Sequence, residues 1–132
     1  MGEDVNRYLI DTNILILYLN GEGDTRTRER IEIICSHSFT ISIISKMEFL
    51  GFRGFSDNDF VLAKSFIDNA RIIPISSEIV ETTIDMRRNG SIKLPDAIIA
   101  ATALCENSIL ITHNPSDFNR ISGLIVEDPC AN

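Results

Sequence analysis

Asp11, Glu48 and Asp96 are the residues on which chemistry could be built, because each stands where a strand or helix would bring it to one end of a sheet. Asp11 follows Tyr8-Leu9-Ile10, a triplet with the length and branching of a buried parallel strand. Glu48 comes just after the β-branched run from Phe39 to Ile44. Asp96 opens a long apolar helix, with Pro95 suited to the first turn, where its missing N–H costs nothing. In an open α/β sheet, the residue beyond a strand's carboxyl end faces the ligand crevice. Carboxylates gathered there repel one another: at ~4 Å and an effective dielectric of about 20, each pair costs on the order of 4 kcal/mol. A divalent cation removes that cost. The pattern points to a metal site.

Taken singly, each acid has an ordinary reading. Asp-Thr-Asn at 11–13 is good capping chemistry, Glu48 suits a solvated helix face, and Asp96 suits the positive end of a helix dipole. The joint pattern favours the site. Ser42, Ser45 and Glu48 recur every third residue across a strand-to-helix junction, so Ser45 and Glu48 share one face of the helix. Thr112-His113-Asn114 ends the strand after the Asp96 helix and brings further polar groups to the same edge. His37 reads as a surface loop residue.

The elements that must hold these residues alternate along the chain. Strands are expected at 7–10, 39–44, 71–75, 109–112 and 124–126. Helices are expected at 14–19, 25–35, 45–52, 57–70, from Ser76-Ser77-Glu78 to Arg87-Arg88, and at 96–106. Alternation of this kind is the signature of an α/β fold with a parallel sheet covered on both faces. A length of 132 residues suits one domain with an ordinary core, with no linker or internal repeat in view.

Apolar content of 44% and charged content of 23% fit a globular protein, and no apolar run approaches the ~20 residues needed to span a bilayer. The polar, acidic start at 1–7 lacks the pattern of a signal peptide. Cys35, Cys105 and Cys130 are odd in number and lack metal-ligand or redox spacing; the first two read as small buried hydrophobes and the third as part of a tail. Reduced thiols and a cytoplasmic address follow as expectations. A net charge of −7 argues against holding nucleic acid by bulk electrostatics, but not against a nuclease whose metal ions supply local positive charge. Two basic clusters, Arg26/Arg28/Arg30 and Arg87/Arg88/Lys93, fit either a solvated helix face or phosphate contact.

Four segments carry a resemblance to PIN domains: Leu9-Ile10-Asp11-Thr12-Asn13, Ser42 to Phe49, Leu94-Pro95-Asp96 running on to Ala103, and Leu110 to Phe118. Their order and spacing are most similar to those of the VapC toxins of prokaryotic toxin–antitoxin systems. The resemblance implies a single three-layer, Rossmann-like domain over 1–132, with a central, mainly parallel sheet of four to five strands and flexible ends at about 1–6 and 129–132. It implies a Mg²⁺- or Mn²⁺-dependent endoribonuclease that hydrolyses RNA with a metal-activated water. Asp11, Asp96 and Glu48 match the acidic metal positions. Asn114 stands where a fourth acid often occurs, with Asp117 nearby as a substitute, and Thr12, Asn13 and Thr112 match supporting positions, beside Ser45. A VapB-like antitoxin and a homodimer are the implied partners, with no membrane. Two rival readings remain open. An aspartate-based phosphohydrolase would want an acid where Asn13 stands. A catalytically silent protein-binding module of the same fold would accommodate Asn114 and the lack of net positive charge.

Overall fold

The computed structural model describes residues 6–131. Along them the order is β1 (Tyr8–Ile10), α1 (Thr12–Leu19), α2 (Thr25–Ser38), β2 (Thr40–Ser42), α3 (Ile43–Leu50), α4 (Asp57–Ile67), β3 (Arg71–Ile73), α5 (Ser77–Arg88), α6 (Leu94–Cys105), β4 (Ile109–Ile111), a 3-10 turn (Pro115–Asp117) and β5 (Val126–Glu127). Every strand pairing is parallel. Tyr8 lies opposite Ile109 in β1–β4, Leu110 opposite Val126 in β4–β5, and Thr40 opposite Arg71 in β2–β3.

The expected parallel α/β architecture is therefore present, with five strands among the described residues, in two hydrogen-bonded pieces, β1-β4-β5 and β2-β3. Packing of β2 against β1 joins the pieces. Ser38 stitches that seam: its Oγ accepts from Tyr8 N at 3.4 Å and donates to Tyr8 O at 3.3 Å. The spatial order is then β3-β2-β1-β4-β5. The chain builds outward from β1 in one direction and then crosses to β4 on its other side, which places a topological switch between β1 and β4.

Period-two alternation sorts the strand residues to opposite faces. Tyr8, Ile10, Ile41 and Ile111 join Ile14, Leu15, Ile31, Ile34, Phe49, Ala63 and Ile67 in a core under α1 to α4. Leu9, Leu110 and Ile73 join Ile79, Ile99 and Phe118 in a second core under α5 and α6. The sheet lies between the two. Ala97, Ala100, Ala101 and Ala103 are all fully buried, and these small side chains let α6 settle closely on its neighbours. That close seat fixes where the N-terminal turn of α6, with Asp96, emerges.

Several boundaries differ from expectation for local reasons. Strand character was expected through Ile44, yet α3 starts at Ile43 because the Ser42 hydroxyl caps it, accepting from Ile44 N at 3.1 Å. The helix stops at Leu50 rather than Phe52, with Gly51 at its end. The last strand is Val126–Glu127, not 124–126. His37 belongs to the last turn of α2 rather than a loop, and is exposed. Cys35 and Cys105 are half-buried free thiols packed against the two cores. Of the expected end segments, 1–5 and 132 lie outside the described residues. At the other end, Ala131 N donates to Asp128 O at 3.1 Å, and Ala131 O accepts from Arg26 Nη2 at 3.0 Å. Among the described residues no helix is long and apolar enough to cross a membrane.

Phe49 anchors the wall that carries Glu48. It is fully buried and meets the rings of Phe55 and Phe66 edge-on, with centroids at 5.5 and 6.2 Å. Phe49→Ala is expected to cost about 3–5 kcal/mol in urea unfolding. Val61→Ala, on the exposed side of α4, is expected to stay within about 0.5 kcal/mol of wild type. Similar losses from the two substitutions would contradict this account of the core.

Candidate metal centre

The end of β1 makes the site's most constrained group. Asp11 N donates to Ile111 O at 2.8 Å, which extends the β1–β4 ladder one residue past the strand. The backbone then turns into α1, and Asp11 becomes its N-cap, with Oδ1 accepting from Thr12 N at 2.8 Å. Oδ2 accepts from Thr112 Oγ1 at 2.7 Å. Both oxygens are thus held, and the residue is only 6% exposed.

Thr112, directly beyond β4, acts as a hub. Its hydroxyl donates to Asp11 and accepts from Asn114 N at 3.1 Å and Asn13 Nδ2 at 3.4 Å. Asn13 in turn accepts from His113 N at 3.1 Å. Glu48 comes from the opposite wall: its Oε1 accepts from Thr12 Oγ1 at 2.7 Å, so adjacent residues 11 and 12 grip or present two of the acids. Asp96, half-buried in the first turn of α6, and Asp117, exposed on the 3-10 turn, complete the group.

A cleft of about 300 Å³ is lined by Asp11, Glu48, Asp96 and Asp117, by Thr12, Asn13 and Asn114, and by the apolar Ile16 and Phe52. No basic side chain is among them. Burial pushes the Asp11 carboxyl up to about 6, against the lowering effect of its Thr112 and Thr12 hydrogen bonds, and the charges of Asp96 and Glu48 push the same way as burial. Asp96 is raised as well, first by burial and then by Asp117 and Glu48, with Lys93 opposing. Four hard oxygen donors, two of them held above the usual carboxylate range first by burial and then by neighbouring acids, fit a hard divalent cation.

Most of the sequence-derived site residues are gathered here. Asp11, Glu48, Asp96, Asn114, Asp117, Thr12 and Asn13 line the cleft, and Thr112 braces it from behind. Ser45 is different. It is fully buried, does not line the cleft, and its hydroxyl is the one buried side-chain oxygen without a hydrogen-bond partner among the described residues. Sequence reasoning missed Ile16 and Phe52. Phe52 was expected inside a helix; instead it follows α3, 38% exposed, against Phe55 at 4.9 Å. Periodicity offers no signal for a rim position of that kind. A second groove of about 740 Å³ adjoins the cleft through Asp96 and Asp117, and carries Lys93 and Arg120.

The PIN domain family model matches residues 8–124. No curated protein matches the chain. Among solved structures, it is similar to a chain of a toxin-antitoxin complex from Klebsiella pneumoniae, at 34% identity and a TM-score of 0.73, covering 92% of this chain and 97% of that one. A chain of VapBC2 from Rickettsia felis, bound to a DNA fragment from its promoter, is 25% identical with a TM-score of 0.78, covering 92% and 97%. A chain of DNA-bound VapBC from Salmonella typhimurium shares the fold at 23% identity and a TM-score of 0.81, covering 96% and 100%.

The raised Asp11 carboxyl has a stability consequence. Below 3.8 the residue is protonated folded or unfolded and contributes nothing. As pH rises from 3.8 to about 6 the unfolded chain releases the proton first, so stability falls across that window. A shift from 3.8 to about 6 is worth up to about 3 kcal/mol. In chelator, Asp11→Asn is therefore expected to be more stable than wild type at pH 7.5 and to lose that advantage at pH 3.5, read by urea unfolding. An advantage that does not change with pH would contradict the assignment.

Proposed function

Because this chain belongs to the PIN domain family, we propose that it is a Mg²⁺- or Mn²⁺-dependent endoribonuclease and the toxin of a VapBC-type toxin–antitoxin pair. The observation that carries the reading is the cleft itself, where acids from the ends of β1, α3 and α6 share one small volume with no basic side chain. A divalent ion bound there supplies Lewis acidity toward phosphoryl oxygens and a nucleophilic water at neutral pH.

This chain's residues have distinct tasks around that chemistry. Asp11 and Asp96 would hold the ion. Asp11 suits this because Thr12 N and Thr112 Oγ1 orient both its oxygens while each keeps a further lone pair. Asn13, where an aspartate-based phosphohydrolase would want an acid, weighs against that rival. Glu48 is exposed and tethered by Thr12, so it can orient the attacking water and take its proton. Asn114 offers the fourth position an amide that hydrogen-bonds without adding negative charge, with Asp117 beside it. In the adjoining groove, Lys93 and Arg120 are placed to meet phosphates flanking the scissile bond. Phe52 at the rim offers an apolar ring against which an unpaired base can stack. The reading extends to a homodimer, a VapB-like antitoxin covering the cleft, and a cytoplasmic setting.

RNA cleavage by wild type is expected to need Mg²⁺ or Mn²⁺ and to stop in chelator. Asp11→Asn and Asp96→Asn are expected to lose more than the roughly 10–100-fold typical of residues one step removed from a metal, and Thr112→Val to fall within that range. Equal residual cutting by wild type and both Asn variants would mark the activity as contamination and remove the nuclease reading. Co-expression with a cognate VapB-like antitoxin is expected to give a complex that survives gel filtration; a chain that never copurifies with any such protein would sink the antitoxin pairing.

A further inference from the structure

Past the carboxyl end of β4, three side chains of different chemistry meet outside the acidic cleft. The geometry points to a second cation site, formed by His113, Asp128 and Cys130, for a single thiophilic divalent ion of the zinc class. One ligand atom from each residue lies within 4.8 Å of the other two. His113 Nδ1 is 3.4 Å from Asp128 Oδ1.

The backbone prepares two of the ligands together. Asp128, Pro129, Cys130 and Ala131 form a turn closed by Ala131 N on Asp128 O at 3.1 Å. Pro129 fixes its corner and is buried, and Asp128 Oδ1 accepts from Cys130 N at 2.9 Å. The carboxylate and the thiol therefore stand on one side of a short, braced loop. The third ligand is set by the sheet. Thr112 N donates to Glu127 O at 3.0 Å, which carries the β4–β5 pairing one step beyond the strands and brings residues 113 and 128 side by side. Arg26 faces the end of the turn through Ala131 O, while Asp24 and Thr27 face Cys130.

Tetrahedral zinc with bonds of about 2.0–2.3 Å needs ligand atoms about 3.3–3.7 Å apart. The His–Asp distance of 3.4 Å already meets this, and with all three atoms within 4.8 Å of one another the closure still needed is at most about an ångström. The donor set also separates this site from the cleft. Thiolate and imidazole select zinc, whereas Mg²⁺ and Mn²⁺ favour the all-oxygen cleft. Three protein ligands leave the fourth position for water. Bound zinc would pin the C-terminal turn to His113, whose N–H is already tied to Asn13 beside the cleft. The site would act as a brace for the catalytic edge without taking part in hydrolysis.

The test uses reduced, tag-free protein, titrated with Co²⁺ and with Zn²⁺ against a chromophoric chelator. Wild type is expected to bind one Zn²⁺ per chain and to show a near-ultraviolet thiolate-to-cobalt charge-transfer band. Cys130→Ser is expected to abolish the band and, like His113→Ala, to weaken Zn²⁺ at least tenfold. Asp128→Asn, which keeps an acceptor for Cys130 N, is expected to weaken Zn²⁺ to a similar degree without loss of metal-free stability. Asp11→Asn with Asp96→Asn should retain both the stoichiometry and the band. The proposal is overturned if wild type binds no stoichiometric Zn²⁺, if the band survives Cys130→Ser, or if Zn²⁺ binding is lost with the cleft acids.

Discussion

A carboxylate that is 6% exposed, at the end of a buried strand and within reach of other acids' fields, is the constraint on which the rest of this molecule depends. Left alone, such a group is expensive. The fold answers with geometry. The β1–β4 ladder runs one residue past Ile10 to fix the Asp11 backbone, the N-terminus of α1 presents Thr12 N to one oxygen, and Thr112 presents its hydroxyl to the other. These bonds lower the cost without removing it, since the carboxyl still sits near 6. The alanine-rich inner face of α6 and the early start of α3 then bring Asp96 and Glu48 to the same cleft, which makes the repulsion worse. Unfavourable charge concentrated in one place, with tight packing elsewhere, is how binding sites trade against stability.

Much of this architecture is legible in the sequence because the strands are short and branched and the helices carry clear caps. Tyr8-Leu9-Ile10 and Ile109-Leu110-Ile111 can only be buried on both faces, and the structure sends their alternate side chains to two different cores. What misled at the element boundaries was local chemistry overriding propensity. The β-branched Ile43 and Ile44 read as strand, but the Ser42 hydroxyl offers the backbone a helix cap, and α3 takes it. Asp11, Glu48 and Asp96 could be found because each sits at a recognisable junction. The Thr12–Glu48 bond could not, since it joins residues 36 apart whose meeting depends on how α1 and α3 lie together. The His113–Asp128–Cys130 cluster was hidden for the same reason: Asp128 and Cys130 share a short turn, but only the β4–β5 register brings His113 to them.

The basic residues divide in a way that composition could not show. Arg30 makes a bidentate pair with Glu127 at 2.7 and 2.8 Å. Arg28 lies over the Tyr18 ring at 4.4 Å and donates to the carbonyls of Tyr18 and Glu22. Arg26 holds the Ala131 carbonyl. The first basic cluster is therefore engaged in tying α2 to its surroundings. Arg87 and Arg88 sit exposed in the last turn of α5, where their charge suits the helix dipole. Lys93 and Arg120 are the cations that line the groove next to the acids.

Asn114 is best understood in that same charge balance. Its backbone N–H donates to Thr112 Oγ1, whose proton points at Asp11, so position 114 helps aim the hydroxyl that steadies the most buried acid. A carboxylate in place of its amide would add a fifth negative charge to a cleft where Asp11 and Asp96 already hold their protons too tightly. At an effective dielectric of about 20, one more such neighbour at ~4 Å would cost on the order of 4 kcal/mol. With Asp117 on the next turn already supplying a carboxylate, the amide at 114 lines the cleft without adding to its charge.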